Sequence, residues 1–399
     1  MRRARVLLLV DSIDDEAGGA ERFVVGLAQA LSPQRYEVFV ATTRHAGGAL
    51  LDELAVAGVH HVDAIRRTRF DVRALWRLLR TLREERIDVV HANKFGSNVW
   101  GVLLGRLARV PVVIAQEHTW AYTGQRVRPF LDGRLIGPLS DAFVAVSTAD
   151  RDRMISLEHV RPEKVEVIPT AYIPREGGGG ADVRAELGLG PGVPLVGTVA
   201  ILRPQKALHV LLDAFAVVAR ERSAPHLVLA GSGESEAALR AQAQDLGLAD
   251  RIHFIGLRQD VNAVWRSIDV GAISSDFEGT PIAALEAMVN GTPLVATAVG
   301  GVPDLIEDGV GDAADAHLQG GAVLDEAGHD LADAGLDGRL GLGVVLEQRA
   351  VGGDEGVDVR ERQDVVAVGA RHLLVDLGDD DAGGGGGGLG GVARRAERA

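Results

Sequence analysis

The chain has 399 residues, 46% of them apolar and 25% charged, and it contains no cysteine. At roughly 100–200 residues per domain, this length predicts two packed domains. The lack of cysteine excludes disulfides, a thiol nucleophile and thiolate metal sites. A net charge of −14 leaves no basic excess of the kind a nucleic-acid surface shows, so no nucleic-acid partner is expected.

At the start of the chain Arg2, Arg3 and Arg5 precede an apolar run that Asp11 ends. The run is shorter than the ~7–15 residues of an export core, and nowhere are there the ~18 apolar residues of a membrane span. A cytoplasmic location is expected. Strand-like apolar runs follow at 6–10, 38–42, 89–92, 112–115, 143–147 and 165–168. A second series covers 195–199, 227–230, 253–256, 270–274 and 294–297. Helical patterns lie between them, with Leu75, Leu78, Leu79 and Leu82 on one stripe and Leu208, Leu211, Leu212, Phe215 and Val218 on another. Alternation of this kind, with nearly continuous Val/Leu strands, predicts parallel sheets covered on both faces. Pro174-Arg175-Glu176 and the glycines to Gly180 read as a linker. The expected architecture is α/β: two doubly wound, Rossmann-like domains at 1–173 and 174–310, facing across a cleft.

Residues 311–399 differ in kind. They use nine amino-acid types, with 21 glycines among 89 residues and no aromatic, Ile, Met, Pro, Ser, Thr, Asn or Lys. They hold 8 basic and 18 acidic residues, so −10 of the chain's net charge of −14 sits there. Those nine types are reachable with codons beginning in G or C, as a misframed or strand-inverted reading of a GC-rich gene would produce. A real low-complexity extension is the other reading. Either way the segment has little to pack with, and disorder is expected.

Several turns carry possible chemistry. Gly18-Gly19-Ala20-Glu21 follows the first strand and opens a helix at about 20–31, where a helix N-terminus favours an anion. The same loop also reads as a plain tight turn. The G-x-G-x-x-G spacing of dinucleotide folds is absent. Arg203-Pro204-Gln205-Lys206 opens the helix carrying Leu208 to Val218. A lysine in a first helical turn opposes the helix dipole unless an anion reverses the sign. Ala230-Gly231-Ser232-Gly233-Glu234 is a third anion-friendly turn. Asp276-Phe277-Glu278-Gly279-Thr280-Pro281 leads into a helix, with Thr280 as expected N-cap, Pro281 at the first helical position and Gly291 closing it. Glu278 and Glu286 lie eight positions apart near that N-terminus and suit hydroxyl recognition, while the Ile282 amide can serve phosphate. His118 and His91 sit at strand ends, where open α/β sheets bind ligands, although strand-end histidines are commonly structural. His60-His61 reads as a loop or edge, and Asp14-Asp15-Glu16 as a solvated loop rather than a metal site.

In this order, Gly18-Gly19-Ala20-Glu21, His118, Arg203 to Lys206 and the Glu278/Glu286 pair before Gly300-Gly301-Val302-Pro303 resemble the family-4 retaining glycosyltransferases (glycosyl transferases group 1) of the GT-B fold. The resemblance covers about 1–310. It implies transfer of a sugar from a nucleoside-diphosphate sugar to a glycan, lipid-linked or small-molecule acceptor, with retained configuration and no obligatory metal or other cofactor. It also implies that Arg203 and Lys206 neutralise the departing diphosphate and that Glu286 holds the ribose hydroxyls. Glu278 would hold the donor sugar, His118 would lie beside it, and the Gly19 amide would reach the phosphates. Gly18, Gly233, Glu234, Gly279, Thr280 and Ile282 complete the implied donor site. The chain departs from the family pattern at Ile201, where an arginine is usual, at Thr170-Ala171-Tyr172 in place of Asn-Gly, and after Gly309-Val310, which implies an incomplete second domain. Two other functions are compatible with the fold: a nucleotide-sugar epimerase, and a non-catalytic nucleotide-sugar binder.

One helix bears on the acceptor. The segment 71–85 places Arg73, Arg77 and Arg80 beside its leucine stripe, with Arg66, Arg67 and Arg69 nearby. Such a helix can hold a protein to the anionic inner face of a membrane. The plainer reading is a core-facing stripe backed by solvated arginines.

Overall fold

The computed structural model describes residues 2–14, 18–68, 70–118, 126–172, 180, 182–220 and 224–306, together with the backbone of 321–324. The chain divides into two compact units between Ile173 and Pro174. Each is built on one parallel sheet.

The first sheet contains β1 (Ala4–Ile13), β2 (Tyr36–Ala46), β3 (His60–Asp63), β4 (Val89–Asn93), β5 (Val112–Gln116), β6 (Ala142–Ala145) and β7 (Val165–Val167), in the order β3-β2-β1-β4-β5-β6-β7. Its central strand shows why apolar runs become strands here. Side chains alternate across a pleat with period two, so Val6, Leu8 and Val10 enter one core while Leu7 and Leu9 enter the other. Helices on both faces complete those cores: α1 (Gly19–Ala30), α2 (Ala49–Val56), α3 (Val72–Glu84) and α4 (Phe95–Ala108) are the first four. In α3, Leu78 and Leu82 are buried and Leu75 and Leu79 half-buried against the core. Asp71 caps that helix, its carboxylate accepting from the amides of Arg73 and Ala74 at 3.1 and 3.2 Å. The leucine stripe thus faces the core. His60 and His61 lie in β3, the edge strand.

The second sheet contains β8 (Leu195–Val199), β9 (His226–Ala230), β10 (Ile252–Gly256), β11 (Val270–Ile273), β12 (Leu294–Thr297) and β13 (Gly321–Leu324), in the order β10-β9-β8-β11-β12-β13. The same alternation sends Leu227 and Leu229 to one core, and Val228 and Ala230 to the other. In both sheets the strand order reverses beside the first strand of the unit. Ligands of open α/β sheets bind at such a switch point, beyond the carboxyl ends of the strands.

Of residues 311–399, where disorder is expected, the backbone of Gly321–Leu324 pairs in parallel with Leu294–Thr297; the rest lies outside the described residues. Two expectations are corrected. Lys206 is not in the first turn of an α-helix. Pro204–Lys206 is a 3-10 turn, Ala207 turns left-handed at φ 42°, and the helix begins at Leu208. Thr280 is not the N-cap of the helix Ile282–Val289. The Pro281 carbonyl accepts from the amides of Ala284 and Leu285, and Pro281, with no N–H of its own, fills the cap position. Gly291 follows the helix end at φ 71°, where a glycine closes a helix without strain.

Candidate functional site

In the second unit the 3-10 turn and the loop after β11 are stitched together. The Asp276 amide donates to the Gln205 carbonyl at 2.9 Å, Gln205 Nε2 donates to the Phe277 carbonyl at 2.8 Å, and Ser274 Oγ donates to the Lys206 carbonyl at 2.9 Å. This brings together two residues 72 positions apart: Lys206 Nζ lies 2.5 Å from Glu278 Oε1. Ser275 Oγ donates to the same oxygen at 2.6 Å. Both charged side chains are largely sheltered, with 18% of Lys206 and 6% of Glu278 exposed.

Gly300 and Gly301 explain how the loop can lie there. The Gly301 amide donates to the Gly279 carbonyl at 2.8 Å. Gly300 sits at φ +57°, and a Cβ on it would lie 1.7 Å from the Glu278 carbonyl oxygen. Only glycine permits that approach. The Gly-Gly pair therefore shapes the loop presenting Glu278. Glu286 is buried within the helix Ile282–Val289, its Oε2 3.4 Å from Trp265 Nε1. Gly279 and Thr280 are buried and Ile282 is half-buried at the helix start.

The turn after β9 contacts the chain after β8. The Leu202 amide donates to the Ser232 carbonyl at 2.8 Å, and a Cβ on Gly233 would come within 2.4 Å of the Leu202 carbonyl oxygen. Gly233 and Glu234 are exposed, as is Arg203, two residues beyond Ile201. The structure thus joins Lys206 with Glu278 and packs the loop of Gly233 on Leu202.

The first unit holds the remaining candidates. Gly18 is the N-cap of α1 and Gly19 its first residue. Glu21, buried in the first turn, receives Lys94 Nζ at 2.6 Å. Lys94 follows β4 with a left-handed φ of 74°, and its amide donates to the Gln116 carbonyl at 3.0 Å. His118 is buried beyond β5, with Nε2 2.9 Å from Asn93 Oδ1. Burial, with the nearby His91 and Lys94, pushes its pKa down to about 3. His91 is buried too; its Nε2 is 2.8 Å from Gln116 Oε1, and burial lowers its pKa to about 4. Both rings are neutral at ordinary pH, so His118 is a hydrogen-bonding group and not a cation.

Sequence reasoning missed Asn93, Lys94, Ser275 and Gln205. Asn93, Lys94 and Gln205 are defined by contacts between distant segments, and Ser275 by its bond to Glu278 three residues on; the strand-end position of Asn93 and Lys94 was a local signal. It also missed a group of buried acids behind His118. Glu117 accepts from Asn98 Nδ2 at 2.8 Å and pairs with Arg128 at 2.5 Å. Burial pushes Glu117 up to about 7 and Asp132 to about 9. Of the acids 14–16 only Asp14 is described. Arg69 also lies outside the described residues.

Comparisons with known proteins agree across both units. The family described as Glycosyltransferase Family 4 matches residues 17–174, and that described as Glycosyl transferases group 1 matches 181–324. The second match runs past Val310, where the family pattern was expected to end. D-inositol 3-phosphate glycosyltransferase of Mycobacterium sp. (strain KMS) is 31% identical over 290 residues, covering 66% of this chain and 61% of the relative. The chain therefore spans about three-fifths of that relative's length. UDP-Gal:alpha-D-GlcNAc-diphosphoundecaprenol alpha-1,3-galactosyltransferase of Escherichia coli is 27% identical over 255 residues, covering 60% of this chain and 65% of the relative. Among solved structures, Anabaena HepE in complex with UDP superposes with a TM-score of 0.67 at 19% identity, over 99% of this chain and 98% of HepE. Matched in both halves and folded alike, the chain belongs to the family-4, group 1 glycosyltransferases of the GT-B fold.

Proposed function

We propose that this chain transfers a sugar from a nucleoside-diphosphate sugar to an acceptor hydroxyl, with retention of the anomeric configuration. The observation carrying the proposal is the sheltered Lys206–Glu278 pair on a loop shaped by Gly300 and Gly301. Without ligand, the two charges neutralise each other, which keeps a lysine and a carboxylate available in a sheltered site at modest cost. A diphosphate competes with Glu278 for Lys206. The cation then stabilises the negative charge that grows as the sugar–phosphate bond breaks, and Glu278 turns to the sugar hydroxyls. Arg203 adds a second cation, and first-turn amides of the helix at Ile282 offer donors to phosphate. Glu286 accepts from the ribose hydroxyls. Within the first unit, the helix start at Gly18 and Gly19 is an anion-favouring end, and His118 is a neutral hydrogen-bonding group. The acceptor oxygen bonds to the anomeric carbon on the face the diphosphate leaves, and its proton passes to a phosphate oxygen. Lys206 and Arg203 supply the positive charge, so turnover is expected to survive a chelator.

UDP is the first nucleotide to test, because HepE was crystallised with UDP and with UDP-glucose. Thermal stabilisation by UDP, GDP and ADP selects the base, and product anomeric couplings report the stereochemistry. Sugar transfer to an acceptor supports the proposal. Isomerisation of the donor without acceptor would replace it with an epimerase, and binding without turnover with a nucleotide-sugar-binding protein.

The acceptor side carries a second observation. Phe70, Val72 and Trp76 are 71%, 74% and 57% exposed, beside the exposed Arg73, Arg77, Arg80 and Arg83. Apolar side chains flanked by arginines suit an anionic membrane surface. We extend the proposal to peripheral contact with anionic lipid, which fits a lipid-linked acceptor. Among the described residues, no helix is long and apolar enough to cross a membrane.

A further inference from the structure

Ser275, in the loop after β11, is held independently of Lys206. Thr297 Oγ1, at the end of β12, donates to the Ser275 carbonyl at 2.7 Å. Ser275 is 1% exposed, and its Oγ donates to Glu278 Oε1 at 2.6 Å. An ionised carboxylate only accepts, so the hydroxyl hydrogen is committed to that bond. Lys206 Nζ reaches the same oxygen at 2.5 Å. Two donors therefore converge on Oε1. Among the described residues none donates to Oε2, which is not sealed from solvent. The two donors differ in freedom. Lys206 ends a flexible four-carbon stem and keeps 18% of its side chain in solvent, whereas the short Ser275 side chain is enclosed by the loop.

We infer that Ser275 is a positioning residue: it keeps hold of Oε1 when Lys206 passes to a diphosphate, so that the carboxylate turns about that oxygen and presents Oε2 to a hydroxyl of the donor sugar. This rests on the glycosyltransferase reading for the identity of the ligand, but not for the handover of Oε1. A sheltered carboxylate that lost its last donor would be stranded at a cost. With Ser275 in place, Oε1 stays hydrogen-bonded throughout. One lysine can then serve the carboxylate at rest and the leaving group in turn, and Ser275 fixes which carboxylate oxygen faces the sugar.

Lys206→Ala imitates the departure of the lysine without any ligand. In thermal melts of the full chain, Ser275→Ala is expected to lower Tm about twice as far in the Lys206→Ala background as in the wild type, because Ser275 is then the remaining donor to Oε1. In a Glu278→Ala background, where the carboxylate is gone, Ser275→Ala lowers Tm no further. Equal falls in the wild type and in Lys206→Ala, or a full fall in Glu278→Ala, overturn the inference. If the variant lacking both Lys206 and Ser275 fails to fold, the comparison with and without Glu278 decides. Titration with UDP-glucose as the probe reads the ligand side. Ser275→Ala raises Kd about tenfold, the loss of one hydrogen bond to a charged group, and adding it to Glu278→Ala changes Kd by less than about twofold. A Kd raised equally in both backgrounds would make Ser275 a support of the loop alone and overturn its role through Glu278. A wild-type protein that binds no nucleotide sugar sinks the glycosyltransferase reading alone, because the melts report the handover without ligand.

Discussion

Lys206→Ala separates what the ion pair does for the fold from what it does for the ligand. Removing the ammonium leaves Glu278, 6% exposed at its side chain, with the Ser275 hydroxyl at 2.6 Å. Breaking a fully buried pair from one side costs about 3–5 kcal/mol. Here Lys206 keeps 18% of its side chain in solvent and Ser275 still serves the carboxylate, so about 2 kcal/mol is expected. For a protein of this size that is a fall in Tm of about 4–8 °C, without global unfolding. Glu278→Gln removes the stranded charge, so the double variant recovers about half of the loss. Nucleotide binding behaves differently. Lys206→Ala loses a charge-assisted contact worth about 1.5–3 kcal/mol, or ten- to a hundredfold in Kd, and Glu278→Gln does not restore it. Denaturant melts of the four proteins and calorimetric titration with a nucleoside diphosphate measure both. A double-mutant coupling near zero would refute the ion-pair reasoning, and an unchanged Kd would refute the donor-site assignment.

Other expectations concern the supporting loop, the buried ionisable groups and the surface. Gly300→Ala puts a Cβ against the Glu278 carbonyl at a left-handed φ; Kd for the nucleotide rises at least tenfold, and an unchanged Kd would detach Gly300 from the site. Asp132 has a folded-state pKa raised to about 9, so its stabilisation is fully present below the unfolded value near 4 and is lost as pH rises from there towards 9. Asp132→Asn should flatten that decline in denaturant melts at pH 5 to 9, and an equal slope would contradict the burial argument. His91 and His118, lowered to about 4 and about 3, act in the opposite sense. Their stabilisation holds above pH 6.5 and is lost as pH falls through the range down to 3–4, so His91→Gln should lessen acid sensitivity in that window. Trp76→Ser combined with Arg73→Glu and Arg77→Glu should abolish co-sedimentation with anionic vesicles at low salt; retained binding would place the lipid contact elsewhere.

The repeating apolar runs alone specified the two parallel sheets. Leu195–Val199 and Leu294–Thr297 are strands with the limits read from sequence, because a strand covered on both faces reads as a nearly continuous run of apolar residues. The leucine stripe of α3 was equally legible, since a helix buries positions three and four apart. The glycine turns and the Glu278/Glu286 spacing marked the candidate site for the same reason: each is a local requirement of the backbone or of one helix end. Tertiary structure decided which charges meet. Lys206 and Glu278 are 72 residues apart, joined because β8 and β11 are neighbours in the sheet, and no local periodicity encodes that adjacency. Asn93 and His118 come together through the pairing of β4 with β5. Lys94 takes a positive φ of 74°, for which a lysine has no intrinsic preference. Glu117 and Asp132 look like ordinary surface acids in the sequence, and only packing buries them far enough to raise their pKa values.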